Sequence, residues 1–278
     1  MRRAFLRCTA AALLAGAALG AAGAMLQPGD DPAKSEVWLK VRASLFDTRS
    51  VQPAPAGWVT LEVPARAVDA AVVPVALRAR IPAEGGGPAQ RIYLVIDANP
   101  SPISAIFQFS PASGRTEVET RVRVDDYSFV RAIAETADGR LYGVTRFVKA
   151  SGGCSAPAGG DAAAAAASLG KIGWRVDGDL GGREPVLAQI VISHPNHSGL
   201  AMDQATRQFT PAHYVRKVDI AYRGQTVFSA DVDFSMSENP SFRFHFIPRS
   251  GGGELRATVV DSLGRRFESV QGVGVAAR

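Results

Sequence analysis

The sequence predicts an all-β protein: two antiparallel β-sandwich domains joined by a Gly/Ala-rich arm, with a short N-terminal helix. Three observations predict it. Apolar and polar residues alternate in short runs over most of the chain, as in Thr120-Arg121-Val122-Arg123-Val124, the period of a sheet with one wet face. Turn pairs such as Asp138-Gly139 and Arg223-Gly224 separate the runs, and such pairs suit tight hairpins. A stretch of small residues at 151–170 then divides the runs into two sets.

Residues 1–24 are expected to be an export signal. Arg2-Arg3-Ala4-Phe5-Leu6-Arg7 has the twin-arginine pattern, Thr9 to Ala21 is mildly apolar, and Ala22-Gly23-Ala24 is an A-x-A cleavage site. The apolar core is too short and too rich in Ala and Gly to span a bilayer. Cleavage near Ala24 places the mature chain in the periplasm, with no membrane association afterwards. Loss of Arg2, Arg3 and Arg7 leaves 28 basic against 26 acidic residues, so the formal charge falls from +5 to +2. No basic run remains, and no nucleic-acid partner is expected.

The mature chain has room for two cores. Residues 35–47 place Val37, Trp38, Val41, Leu45 and Phe46 near one face of a helix. Strands are expected at 58–63, 71–79, 91–97, 103–109, 117–124, 128–136 and 140–148, completing a first sandwich over 25–150. The second, over 171–278, has strands at 185–193, 214–222, 226–232, 242–247, 255–261 and 266–273. Phe107 and Phe109, and likewise Phe242, Phe244 and Phe246, have strand periodicity and suit core or interdomain packing. His245 among them is expected to face outward. Asn99-Pro100-Ser101 and Asn239-Pro240-Ser241 each precede an aromatic strand, consistent with related topologies. In the arm, 151–170, Asp161 could cap a short helix over the alanines 162–167, and Gly170 could end it.

Cys8 leaves with the signal, so Cys154 is the sole cysteine of the mature chain. It follows Gly152-Gly153 and precedes Ser155-Ala156-Pro157. Glycines here free the backbone. Gly152, Gly153 and Ser155 are expected to form a flexible arm with the thiol exposed, able to hold a substrate covalently and present it to other proteins. Lys149 is the only nearby base, so no strong activation of the thiol is evident. An unpaired thiol in an oxidising compartment also permits a Cys154-linked homodimer.

Other chemistry is less well supported. His194-Pro195-Asn196-His197 has H-x-x-H spacing with His213 further on, but Pro195 argues against one helix face and no metal is expected. A Cys154–His197 nucleophile–base pair lacks an orienting acid. Gly251-Gly252-Gly253 precedes no helix and lacks the Lys-Ser/Thr of a phosphate loop, so it is a turn and no cofactor is expected. Three readings stay open: a covalent carrier, a non-covalent adaptor, and a cysteine-dependent thiol enzyme.

A resemblance narrows them. Asp97-Ala98-Asn99-Pro100-Ser101-Pro102, Thr120-Arg121-Val122-Arg123-Val124, Asp138-Gly139-Arg140-Leu141-Tyr142 and Gly152-Gly153-Cys154 resemble, in order, the SoxY half of the thiosulfate-oxidation carrier. His194-Pro195-Asn196-His197-Ser198-Gly199, Pro211-Ala212-His213-Tyr214 and Ser237-Glu238-Asn239-Pro240 resemble the SoxZ half. The resemblance implies two immunoglobulin-like sandwiches and a sulfur intermediate held on Cys154. It also implies partners that do the catalysis: a Sox-type c-type cytochrome, a hydrolase and a molybdenum sulfane dehydrogenase. Fused carriers of this kind are also associated with quinoprotein dehydrogenase systems. SoxY ends in Gly-Gly-Cys-Gly-Gly, whereas here the chain continues through Ser155-Ala156-Pro157. At roughly 3.3 Å per residue the thiol could project about 15 Å from the last strand. A two-ended loop cannot thread a narrow tunnel, so a more open partner cleft is expected.

Overall fold

The computed structural model describes residues 25–157, 159, 162–203 and 206–274. The expected signal, Cys8 and the expected cap Asp161 lie outside the described residues. The first half contributes α1 (Glu36–Phe46) and strands β1 (Val51–Pro53), β2 (Val59–Glu62), β3 (Val73–Ala79), β4 (Ala89–Ile96), β5 (Ile103–Phe109), β6 (Thr116–Val122), β7 (Ser128–Thr136) and β8 (Leu141–Val148). After the short α2 (Ala162–Ser168) come β9 (Ile172–Asp177), β10 (Val186–Ile192), β11 (Val215–Tyr222), β12 (Gln225–Val232), β13 (Ser241–Phe246), β14 (Gly253–Asp261) and β15 (Arg266–Val273).

The fold is an all-β sandwich. Its layers are a nine-stranded sheet, β1-β8-β7-β4-β5-β12-β11-β14-β15, and a six-stranded sheet, β2-β3-β6-β13-β10-β9. Both sheets run through both halves. β5 pairs antiparallel with β12 from Ala105↔Val232 to Phe109↔Phe228, and β6 pairs with β13 at Val118↔Phe244 and Glu119↔Arg243. The arm is therefore not the sole junction: backbone hydrogen bonds join the halves in each layer.

The aromatic strands explain why the halves meet there. Phe107, Phe228, Phe242, Phe244 and Phe246 are fully buried between the layers. Phe228 stacks on Phe107 at 5.9 Å and on Phe244 at 5.4 Å between ring centroids. Burying such rings is a main favourable contribution to holding two sheets together.

α1 covers the outer face of the larger sheet. Ser35 caps it by accepting a hydrogen bond from the Trp38 amide, and Trp38, Val41 and Phe46 pack on Tyr93, Val95, Ile133 and Leu141. Val37, expected on that face, is instead exposed. A buried ion pair reinforces the contact: Arg131 reaches Asp97 at 2.6 Å, donates to the Pro32 carbonyl and lies over the Trp38 ring.

Two strands were not anticipated. β1 pairs in parallel with β8 and is only three residues long. β9 alternates Ile172, Trp174 and Val176 toward the core with exposed Gly173, Arg175 and Asp177. That alternation is legible in the sequence.

Candidate functional site

The candidate site lies where the end of β6 meets the loop between β10 and β11. Beyond Val122 the chain continues through Arg123, Val124 and Asp125, and the turn at residues 152–155 lies against it. Gly152 donates to the Asp125 carbonyl at 2.6 Å, and Gly153 to the Val124 carbonyl at 3.2 Å. The Cys154 amide donates to Asp125 Oδ1 at 3.1 Å. From the second half, the Ser198 hydroxyl donates to the Cys154 carbonyl.

The placement of Cys154 corrects an expectation. Its side chain was expected in solvent on a bendable joint, and it is 0% exposed. Gly152 and Gly153, expected to be free, are held by the bonds just described. Gly152 has φ +75, which favours glycine for its turn. At Gly153 a Cβ would sit 2.2 Å from the Ala70 carbonyl oxygen, so only glycine fits. Ser155 is exposed, and its hydroxyl donates to the Gly152 carbonyl at 3.2 Å. The physical cause is the row of acceptors beyond β6, which draws the arm inward and carries the thiol out of water.

Burial governs the thiol. It pushes Cys154 up to about 12, and the Asp125 carboxylate reinforces the effect. Arg123 opposes it, and Asp233 adds to it. A thiol so placed is protonated at neutral pH and inert as a nucleophile. Burial also raises Asp233 to about 6, against hydrogen bonds to Ser101 and Ser235 that lower it.

Arg123 ties the arm to both halves. Its Nε donates to the Met236 carbonyl at 3.3 Å, one Nη to the Gly153 carbonyl at 3.4 Å and the other to the Asn196 carbonyl at 3.2 Å. Burial lowers its pKa. Among the described residues no carboxylate forms an ion pair with it.

Asparagines set the loops around this contact. Asn99 donates to the Arg123 carbonyl and to Ser235 Oγ, and accepts from the Asp125 amide. Asn196 and Asn239 take left-handed backbone conformations with φ near 50, where asparagine is tolerated. The Asn196 side chain donates to the Met236 carbonyl at 2.7 Å and accepts from the Val215 amide at 2.8 Å. Asn239 and His194 exchange two bonds. Sequence reading noticed the asparagine motifs but missed the roles of Asn99, Arg123, Asp125, Asn196 and Ser198. The pattern Asn-Pro or Pro-Asn at strand ends was the available signal, because these side chains bond to backbone in turns.

The histidines form a separate polar knot. His213 Nε2 lies 2.7 Å from Asp261 Oδ2, His194 Nε2 lies 3.8 Å from it, and the three ligand-type atoms are within 4.8 Å of one another. The sequence reading grouped His194 with His197 and His213 but left out Asp261. His194 Nδ1 accepts from the Asn196 amide at 3.0 Å, which leaves the proton of the neutral ring on Nε2. A metal-bound neutral histidine needs the reverse arrangement. The trio therefore packs the base of the 193–214 loop. Burial pushes His194 down to about 4, which keeps the ring neutral. His197 bridges to His213 through the backbone, and no hydrogen bond joins it to Cys154 among the described residues. His245 lies, as expected, on the face of β13 opposite the core residues Phe244 and Phe246, where it is partly buried 3.9 Å from Glu117.

Comparisons with known proteins follow the same division. The sulfur oxidation protein SoxY family matches residues 42–154, ending on Cys154, and the sulphur oxidation protein SoxZ family matches 181–271. Among solved structures, the sulfur carrier protein SoxY from Chlorobium limicola f thiosulfatophilum is 26% identical over 40% of this chain and 89% of that one, with a TM-score of 0.33. The fibronectin(III)-like modules of Clostridium thermocellum CbhA are 11% identical over 78% of this chain and 93% of that one, with a TM-score of 0.24. Among curated proteins none matches.

Proposed function

The chain is a fused SoxYZ-like protein, a SoxY unit running into a SoxZ unit, and from that premise we propose that it is a periplasmic carrier holding a sulfur intermediate covalently on Cys154. The observation that carries the reading is the convergence of both units on one cysteine. The SoxY match ends on Cys154, and the SoxZ unit grips that residue through Ser198. An incidental linker cysteine would have no need of such a grip.

Loading requires the arm to lift. In the seat the thiol meets no solvent. Once lifted it regains an ordinary acidity, and a partner's site can deprotonate it. With thiosulfate, Cys–SH and S₂O₃²⁻ would give Cys–S–S–SO₃⁻, one proton and two electrons. A partner of the c-type cytochrome class would take the electrons. A hydrolase and a sulfane dehydrogenase, or a quinoprotein dehydrogenase system, would act on the loaded arm. The carrier supplies the tether, not the catalysis. The buried thiol also bears on the homodimer expected from the sequence, since a Cys154–Cys154 disulfide needs both arms lifted.

The test is the intact mass of protein taken from the periplasm. The expected result is an addition of about 112 Da for the thiosulfate adduct, or of about 32 Da per sulfur after its hydrolysis, that disappears on mild reduction, whereas a sulfinic acid, which also adds about 32 Da, persists. Cys154→Ser should carry none. If Cys154→Ser supports sulfur oxidation in cells as well as the parent chain, the molecule is a non-covalent adaptor and the carrier reading fails.

A further inference from the structure

Asp125 is used twice in the stowed arm. Its carbonyl accepts from Gly152 at 2.6 Å, and its Oδ1 accepts from the amide of the residue that carries the thiol, at 3.1 Å. Its own amide is fixed by Asn99 Oδ1 at 2.9 Å. With its backbone so fixed, Asp125 presents its carboxylate to the seat, where a seated load on Cys154 would meet it.

The seat is hostile to negative charge. Burial penalises any anion there, and Asp125 is the strongest charged influence against one, with Asp233 acting in the same sense. The opposing cation, Arg123, is shared among the carbonyls of Gly153, Asn196 and Met236. A neutral thiol meets no such penalty. The thiosulfate adduct written above, Cys–S–S–SO₃⁻, and the persulfide that its hydrolysis would leave are anionic near neutral pH.

We propose that Asp125 is a positioning residue that couples the arm to the charge of its load, anchoring the arm when Cys154 is an uncharged thiol and turning it out when the sulfur bears an anion. The inference rests on the carrier reading and extends it: the empty carrier is the closed one, and the loaded carrier offers its cargo. Because the seat is snug, with Gly153 packed on the Ala70 carbonyl, size also acts against a load. The test must therefore hold size constant.

Alkylation does so. Iodoacetate and iodoacetamide each form an S–C bond on Cys154, with iodide and the thiol proton leaving. The adducts, –CH₂–COO⁻ and –CH₂–CO–NH₂, are nearly the same size and differ by one charge. After intact mass shows a single adduct, hydrogen exchange is measured on the full chain at the amides of Gly152, Gly153 and Cys154, whose acceptors are those named above.

The expected result is exchange about tenfold faster for the carboxymethyl than for the carboxamidomethyl protein, the scale of one partly screened like-charge contact. In Asp125→Asn the unmodified arm should stay protected, because the amide oxygen still accepts the Cys154 N–H, and the ratio between adducts should fall toward one. Asp233→Asn should keep most of the ratio. Equal exchange of the two adducts in the parent chain overturns the proposal without any variant. So does slower exchange of the carboxymethyl form, which would mean that Arg123 dominates, or a ratio that survives in Asp125→Asn. Both loads are synthetic, so this outcome is independent of whether sulfur is the natural cargo. Failure of the sulfur reading would show in the mass of the periplasmic protein.

Discussion

Cys154 and Gly153 set the behaviour of the site at the scale of single residues. The released thiol titrates near its ordinary 9.0, whereas the seated one holds its proton to about 12. Between those values the released form gives up a proton that the seated form keeps, so alkali favours release. The stability attached to the seat is complete below pH 9 and is lost as pH rises, at about 1.4 kcal/mol per unit. Denaturation midpoints between pH 7 and 11 should therefore fall more steeply for the parent chain than for Cys154→Ser; parallel curves would contradict the burial. Gly153→Ala forces a methyl into the Ala70 carbonyl. The arm should then stand out, and the thiol should react with a chromogenic disulfide at least about tenfold faster.

The loop between β10 and β11 is the element that closes the site. It is pinned at its base by His194, His213 and Asp261, and it places Asn196 on Arg123 and Ser198 on Cys154. Ser198→Ala removes a hydroxyl that donates to a buried carbonyl and also accepts from the Leu200 amide. The loss of such a contact costs about 1 kcal/mol. Thiol reactivity should rise severalfold while the melting temperature of the sandwich changes by only a few degrees. The same loop responds to acid with the opposite sign to the thiol. His194 binds its proton near 4 when folded against 6.5 when released, so its contribution is complete above pH 6.5 and fades as pH falls toward 4. Arm amides should exchange faster at pH 4.5 than at pH 6.5 once the intrinsic rate is corrected, and equal protection would rule out the coupling.

For the whole molecule the decisive feature is that both layers run through both halves. Cleavage within the arm beyond Pro157 should leave the two pieces associated, since β5–β12 and β6–β13 pairing and the Phe107–Phe228–Phe244 stack do not involve the arm. Gel filtration of the nicked protein should give one peak at the size of the intact chain; two peaks would mean the halves depend on the tether. Phe228→Ala removes the ring shared by both layers and should cost about 3–5 kcal/mol. The loss should appear as a single unfolding transition when followed by probes in either half.

The sequence by itself determined the class of the fold, most of its strands and the residue on which any carrier chemistry must rest. Alternation, turn pairs and a single cysteine beyond residue 24 are local properties, and each was legible without a partner in space. Val37 was misassigned because the helix face is set by where the sheet lies, not by apolarity alone. The larger error concerned Cys154. Glycines ahead of a small-residue loop license motion, but whether motion is realised depends on acceptors that lie elsewhere in the chain. Only the tertiary structure brought the Val124 and Asp125 carbonyls, the Asp125 carboxylate and Ser198 around that loop. Contacts between residues about 30 and 44 positions apart leave no periodic trace, because hydrogen bonds and charge act through space while a sequence records only neighbours along the chain.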